Sequence, residues 1–153
     1  MMIDVPNVPM VDPARARELR QAYIDRFVNQ ESPYYQSRIQ TRHRYPDGLY
    51  YDGYLWDCFR HPQLIPDEEV LEELTRHDRV YIMWDLHSDK KVWVENYFRF
   101  PKEAILVVPG RRVPEFLPLL PDDLYFFDDS LDWTVALTHE IFRDGSDLAY
   151  RAT

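Results

Sequence analysis

Apolar and polar residues alternate strictly over Leu131–Glu140, near the carboxyl end of the chain. In an extended strand, Trp133, Val135, Leu137 and His139 fall on one face, and Thr134, Ala136, Thr138 and Glu140 on the other. The stretch is rich in β-branched and aromatic residues and contains neither Pro nor Gly, which is typical of a strand. Because an acidic turn at 128–130 precedes it, the pattern predicts a central strand that ends in a polar pair.

Two segments have helical spacing instead. Asp12 and Pro13 are suited to the N-cap and the first position of a helix, and apolar residues at i, i+3, i+4 spacing predict an amphipathic helix over 13–29. Residues 66–77 begin with acidic and end with basic side chains, as the helix dipole favours, and carry a narrow apolar stripe. This pattern predicts a second helix.

Further alternating segments predict strands at 52–59, 79–86, 91–97 and 124–127, with 79–86 and 91–97 joined as a hairpin through 87–90. Bulky residues on both faces of 52–59 predict a covered strand in which Asp57 needs a partner. Residues 104–108 fit a short strand or a helical turn. Three prolines limit 113–121 to one or two turns of helix, and a turn with a short extension is predicted from Arg143 onward.

The order of these elements predicts a single α+β domain over residues 1–153. Its sheet is expected to be mainly antiparallel, with about five strands and two helices packed on it. Residues 1–11 are predicted to be an N-terminal tail, and 30–50 and 109–121 to be elaborated loops.

Composition bears on the class of protein and on its cellular compartment. Of the 153 residues, 45% are hydrophobic and 15% aromatic, as in a globular protein. The single cysteine, Cys58, excludes an internal disulfide and indicates a reducing compartment. The sequence shows no signal-peptide pattern and no apolar run long enough to span a bilayer, so we expect a cytoplasmic protein without membrane association.

Charge is distributed unevenly along the chain. Basic and acidic residues balance over 1–61, so the formal net charge of −9 arises in 62–153. This acidity disfavours general nucleic-acid binding and suits a basic partner, although it also serves solubility alone.

Several catalytic motifs are excluded. His139-Glu140 would begin a zinc-protease motif, but the second histidine of H-E-x-x-H is replaced by Arg143. Four glycines provide no phosphate or dinucleotide loop, and one cysteine cannot build a zinc ribbon. We therefore expect neither metal nor cofactor. Cys58 with His61 is a poor nucleophile pair, because a thiol on a buried strand is inert.

One enzymatic hypothesis is kept. If the predicted hairpin lies beside the last strand, His87, Glu95 and His139 converge, with Glu140 adjacent, and such a set would serve acid–base hydrolysis or a loose metal site. The alternative is that these polar residues tie strand ends to nearby loops by hydrogen bonds.

Arginines and tyrosines interleave over 34–51. Arg38, Arg42 and Arg44 could stack with bases of single-stranded RNA, together with the neighbouring tyrosines. The alternative is a surface loop whose tyrosines pack inward and whose arginines balance the acidic part of the same chain.

Three motifs follow one another in the sequence: Gly53-Tyr54-Leu55-Trp56, then Val94-Glu95-Asn96, then Trp133-Thr134 with Thr138-His139-Glu140. In this order and spacing they resemble a family of small bacterial proteins classed as a domain of unknown function. The resemblance runs from the first helix to the last strand, and it implies no established activity, substrate, cofactor or catalytic residue. Residues 34–51 and 109–121 lie outside the motifs.

An acidic, aromatic-rich domain without a nucleophile or metal motif suggests a binding module of the immunity or antitoxin type. Its acidic side chains would mask a basic protein partner, such as a nuclease toxin, by standing in for phosphates. The candidate binding residues are Asp67, Glu68, Glu69, Glu72, Glu73, Asp122, Asp123, Asp128, Asp129 and Asp132. Aromatic residues in excess of what a small core holds tend to mark an interface, which also allows a homodimer.

Overall fold

The computed structural model describes residues 8–46, 48–86, 100–141, 145 and 147–152. It has an α+β fold built around a six-stranded antiparallel sheet with strand order β3-β8-β7-β6-β4-β5. The strands are β3 (Gln63–Pro66), β4 (Val80–Trp84), β5 (Leu106–Val108), β6 (Leu124–Phe127), β7 (Thr134–Ile141) and β8 (Asp147–Ala152). The predicted class is confirmed, and the sheet is larger than predicted. A separate two-stranded sheet pairs β1 (His43–Tyr45) with β2 (Gly48–Tyr50).

The strand predicted near the carboxyl end is confirmed as β7, an interior strand that pairs with β6 and β8. Its residues alternate between the two cores of the molecule, since Val135 lies in the apolar cluster on one face and Ala136 in that on the other. The register shifts between Leu137 and Ile141, so the regular alternation stops there.

Each face of the sheet is covered by one of the predicted helices. On the first face lies α1 (Pro13–Phe27), where the Asp12 side chain accepts hydrogen bonds from the first turn. Tyr23 of α1 is fully buried, and its hydroxyl lies 2.7 Å from Oγ1 of Thr134 on β7. On the opposite face lies α3 (Asp67–Thr75), which buries Val70 and Leu74.

The strand predicted at 52–59 is wrong: Leu55–Cys58 form a 3-10 helix. The backbone N–H groups of Leu55 and Trp56 donate to side chains rather than to a neighbouring strand, which stabilises a turn. Asp57 is exposed, so the expectation that it needs a buried partner is also wrong. The short extension predicted after Arg143 is in fact β8, a full strand between β7 and β3.

The segments that were predicted as loops or as a tail, or were left undecided, also contain regular structure. Residues 104–108, which fitted two alternatives, contain β5, and the proline-rich stretch contains α4 (Val113–Phe116) followed by a 3-10 turn. The predicted loop 30–50 contains α2 (Pro33–Arg38) and the β1–β2 sheet. Residues 8–11, predicted as part of a tail, run along β5 through hydrogen bonds such as Val107 N to Pro9 O, 3.0 Å.

The second strand of the predicted hairpin, 91–97, and its connection 87–90 lie outside the described residues. Strand β4 pairs with β5 and β6. Within the described ranges, no helix has the length and hydrophobicity needed to cross a membrane.

Candidate functional site

A histidine–aspartate pair lies where the register of β7 shifts. Nδ1 of His139 is 3.0 Å and 3.1 Å from the two carboxylate oxygens of Asp123, and the backbone N–H of His139 donates to the same carboxylate. Asp123 is 5% exposed, whereas the His139 side chain is 42% exposed. A carboxylate in its ionised form only accepts hydrogen bonds, and the Nδ1–H tautomer of the imidazole satisfies it. The buried carboxylate therefore fixes the orientation of an exposed imidazole.

Three aromatic rings stand in a row beside this pair. The indole of Trp56 stacks on Tyr54 on one side (centroids 5.2 Å apart, 29° between planes) and on Tyr150 on the other (5.8 Å, 15°). Its Nε1 donates to Asp123, 3.0 Å away, and the His139 ring lies 5.0 Å from that of Tyr54. We call Tyr54, Trp56, Tyr150 and His139 the aromatic platform. Its two tyrosines are partly exposed.

A buried carboxylate fixes the platform from below. Asp85 is 5% exposed and accepts hydrogen bonds from the Tyr51 hydroxyl (2.8 Å), the Leu55 N–H (3.1 Å) and the Tyr125 hydroxyl (2.6 Å). The Tyr125 hydroxyl in turn accepts from the N–H of Trp56, 3.0 Å away. These contacts anchor the backbone of the 3-10 helix, which carries Trp56 of the platform.

Negatively charged side chains act on both tyrosines of the platform. Burial raises the pKa of Tyr150, and the carboxylates of Glu140 and Asp57 raise it further. Burial, followed by the charge of Asp123, raises the pKa of Tyr54 to about 12. Asp57 and Glu140 are exposed, and neither forms an ion pair with another described residue. The platform thus joins aromatic surface to carboxylates that have no ionic partner in the described part of the chain.

The structure locates two of the four enzymatic candidates. His139 is oriented by Asp123, and Glu140 is exposed, with its backbone N–H directed at Oγ1 of Thr138. His87 and Glu95 lie outside the described residues. The face predicted for His139 is wrong: the register shift brings its ring to Tyr54 and Trp56, on the side of Ala136 rather than of Val135.

Several of the predicted acidic binding residues are buried or form contacts within the chain itself. Asp123 is buried under the platform, which corrects its assignment to that surface. Glu69 and Glu73 on α3 both lie within ion-pair distance of Arg151, at 3.4 Å and 3.5 Å. Asp67 and Asp128 are partly buried, and the acidic candidates that stay exposed are Glu68, Glu72, Asp122, Asp129 and Asp132.

The imidazole of His77 joins α3 to the acidic turn before β7. It lies flat on the indole of Trp133, with centroids 3.9 Å apart and 8° between the planes. Nε2 is 2.9 Å from Glu73, and Nδ1 is 3.6 Å from Asp128. A cleft of about 320 Å³ opens beside this contact, lined by both acidic and basic side chains, including Asp129 and Arg79. The two acidic segments thus border one surface.

The residues proposed for RNA binding are only partly free. Arg38 lies 3.7 Å from Asp52, and Arg42 is partly buried, while Arg44 is exposed. The neighbouring ring of Tyr45 packs edge-on against Tyr50. These contacts fit the alternative of a self-contained surface segment.

Cys58 is buried, and its Sγ lies 3.5 Å from the carbonyl oxygen of Leu55. Burial, with the charges of Asp85 and Asp57, raises the pKa of the thiol to about 12. A group that stays protonated at neutral pH is a poor nucleophile. Among the residues that the structure describes, no set of three or more potential ligands could hold a metal ion.

Comparison with family models, with curated proteins and with solved structures finds no match to this chain.

Proposed function

We propose that this chain is a binding module for a basic protein partner and that the aromatic platform is its contact surface. One observation carries the proposal: partly exposed, rigidly held aromatic rings lie beside Asp57 and Glu140, which have no ionic partner among the described residues. Interfaces are enriched in such rings, and unpaired carboxylates select cationic partners.

The overall charge supports the same conclusion. A net charge of −9 steers a basic protein toward the chain over distances beyond direct contact. The exposed carboxylates of Glu68 and Glu72 on α3, and of Asp129 and Asp132 in the turn before β7, add to this field. A cytoplasmic immunity- or antitoxin-type role, masking the cationic site of a nuclease toxin, fits these properties.

The motif resemblance is consistent with this choice of surface. Tyr54 and Trp56 come from the first motif, and His139 and Glu140 from the last. Two segments far apart in sequence that resemble the same bacterial family thus meet in one site. The homodimer considered from the sequence would use the same rings, and sedimentation of the chain alone distinguishes it from a complex with another protein.

The test is co-purification with the product of the gene directly upstream of this chain's gene, followed by calorimetric titration at about 50 mM and about 500 mM salt. Binding should weaken strongly at the higher salt. D57K/E140K should weaken it by about tenfold or more, because the reversed charges lie in the contact. E68K/E72K changes the net charge equally on the opposite face of the sheet and should have a smaller effect.

Equal losses in the two double variants would show that charge acts only at long range, and the platform would be dismissed as the contact. An upstream product that is not basic, or that does not bind, would contradict the immunity-type role.

A second candidate, a hydrolase-like enzyme, is favoured by the orientation of His139. Asp123 holds Nδ1, and the exposed side of the ring could act as a general base. This hypothesis also requires His87 and Glu95. It predicts turnover of an activated ester or phosphate ester that drops by about a hundredfold or more in His139→Ala. Turnover unchanged in that variant would remove it.

A further inference from the structure

We propose that the aromatic platform binds the guanidinium group of an arginine side chain, stacked on the ring of Tyr150 and hydrogen-bonded to the carboxylates of Asp57 and Glu140. This inference rests on the proposed function and specifies the chemistry of the group that the partner supplies.

The ring of Tyr150 offers the stacking surface. It lies on β8, where its register neighbours are Ala136 on β7 and Leu64 on the edge strand β3. One side of the ring is covered by Trp56, the ring is partly exposed, and Leu64 is 50% exposed. A planar group stacked on Tyr150 would extend the row of parallel rings by one member and cover this apolar surface.

The charge beside the ring specifies a cation. Asp57 directly follows Trp56, whose indole stacks on Tyr150, and Glu140 directly follows His139, whose ring lies 6.0 Å from that indole. Both carboxylates also raise the pKa of the Tyr150 hydroxyl. Neither carboxylate is paired with a basic side chain in the described part of the chain. A cation over the ring gains both the quadrupole of the aromatic face and these two negative charges.

Arginine suits this arrangement better than lysine. Its guanidinium is planar and weakly hydrated, and it can stack on an aromatic ring while its N–H groups reach two carboxylates. The ammonium of lysine is a compact, strongly hydrated charge without a stacking plane. Since Asp123 fixes both Trp56 and His139, binding orders few further side chains, which favours recognition of a single group.

The test is a titration followed by NMR, using the indole N–H resonance of Trp56 as the reporter. The probes are three blocked glycine peptides, each with one central residue: arginine, lysine or its uncharged isostere citrulline. We expect the arginine peptide to shift the resonance, the lysine peptide to bind about fivefold more weakly, and citrulline to have no effect.

Variants separate the two parts of the site. Tyr150→Leu keeps an apolar side chain but removes the ring, and D57N/E140Q removes the charges without adding bulk. Each of these changes should weaken binding of the arginine peptide by about fivefold or more. Tyr45→Leu is the matched control: Tyr45 is 49% exposed on β1, outside the platform, and its loss should leave binding unchanged. The unperturbed amide spectrum of each variant reports that it is folded.

The outcomes distinguish this inference from the proposed function. Equal binding of arginine and lysine, equal binding of citrulline, or insensitivity to Tyr150→Leu would overturn the arginine assignment. If no peptide shifts Trp56 while the basic protein partner still binds, the arginine site is wrong and the binding module stands. If neither the peptides nor the protein bind, both proposals fail.

Discussion

Asp123 holds His139 through a contact of 3.0 Å between its Oδ1 and Nδ1 of the imidazole. The same buried carboxylate accepts hydrogen bonds from the indole of Trp56 and from the backbone N–H of His139. One side chain therefore connects β7 to the 3-10 helix that carries Trp56, although Trp56 and His139 lie far apart in sequence.

Replacing Asp123 by Asn should lower the free energy of unfolding by about 2–4 kcal/mol, because an amide cannot accept from all three donors and its NH₂ group meets one of them. Urea denaturation measures this change. Asp122→Asn, at the exposed neighbouring position, is the control and should change stability by less than about 0.5 kcal/mol. A similar loss in both variants would contradict the structural role of Asp123.

The hydroxyl of Tyr125 connects the backbone of Trp56 to the carboxylate of Asp85. Tyr125→Phe should destabilise the protein by about 2–3 kcal/mol, because it leaves the buried N–H of Trp56 without its acceptor and removes one of the donors to Asp85. Tyr81→Phe makes the same chemical change on the adjacent strand, where the hydroxyl bonds to the exposed Asp129. For Tyr81→Phe we expect the free energy of unfolding to fall by about 1 kcal/mol or less. Equal melting temperatures for the two variants would count against the buried connection.

The periodicity of the sequence predicted β7 and α1 because the patterns of these elements are local. Val135 and Ala136 lie on opposite faces as strand geometry requires, and Asp12 caps its helix as its side chain allows. The 3-10 helix at Leu55–Cys58 was not predicted, because the groups that stabilise it, Asp85 and Tyr125, lie far away in sequence.

The pair of His139 and Asp123 was not predicted, for a related reason. Simple alternation assigns His139 to the face of Val135, and only the register shift of β7 places it beside Tyr54. Pairing β6 with β7 would have brought Asp123 near the end of β7 and is the signal that could have revealed the pair. Charge alone assigned Asp123 to the surface, because a sequence count does not register burial.

The thiol of Cys58 should be unreactive in the folded protein. Burial, with the nearby charges of Asp85 and Asp57, raises its pKa to about 12, so the thiolate fraction at neutral pH is minute. Reaction with a disulfide reagent should be slower than in the unfolded chain by about a hundredfold or more. Since the chain has one cysteine, the released chromophore reports on this thiol alone. Labelling of the folded protein as fast as in concentrated guanidinium chloride would refute the prediction.

Asp128 should contribute a pH-dependent part of the stability. Burial opposes its ionisation, but hydrogen bonds from the hydroxyl and backbone of Ser130 and the charge of His77 outweigh this effect and lower its pKa below the ordinary value of 3.8. The unfolded chain therefore binds the proton more strongly than the folded one. The contribution of Asp128 is complete above the pKa of the unfolded state and is lost as the pH falls through that value toward the pKa of the folded state.

In Asp128→Asn this dependence is absent, so the stabilities of the two proteins should converge as the pH falls from about 5 to about 2. Urea denaturation across this range measures the convergence. Asp132→Asn, at an exposed position in the same segment, should instead give a curve parallel to that of the wild type. Parallel curves for wild type and Asp128→Asn would show that the carboxylate of Asp128 has the same pKa in the folded and unfolded chains.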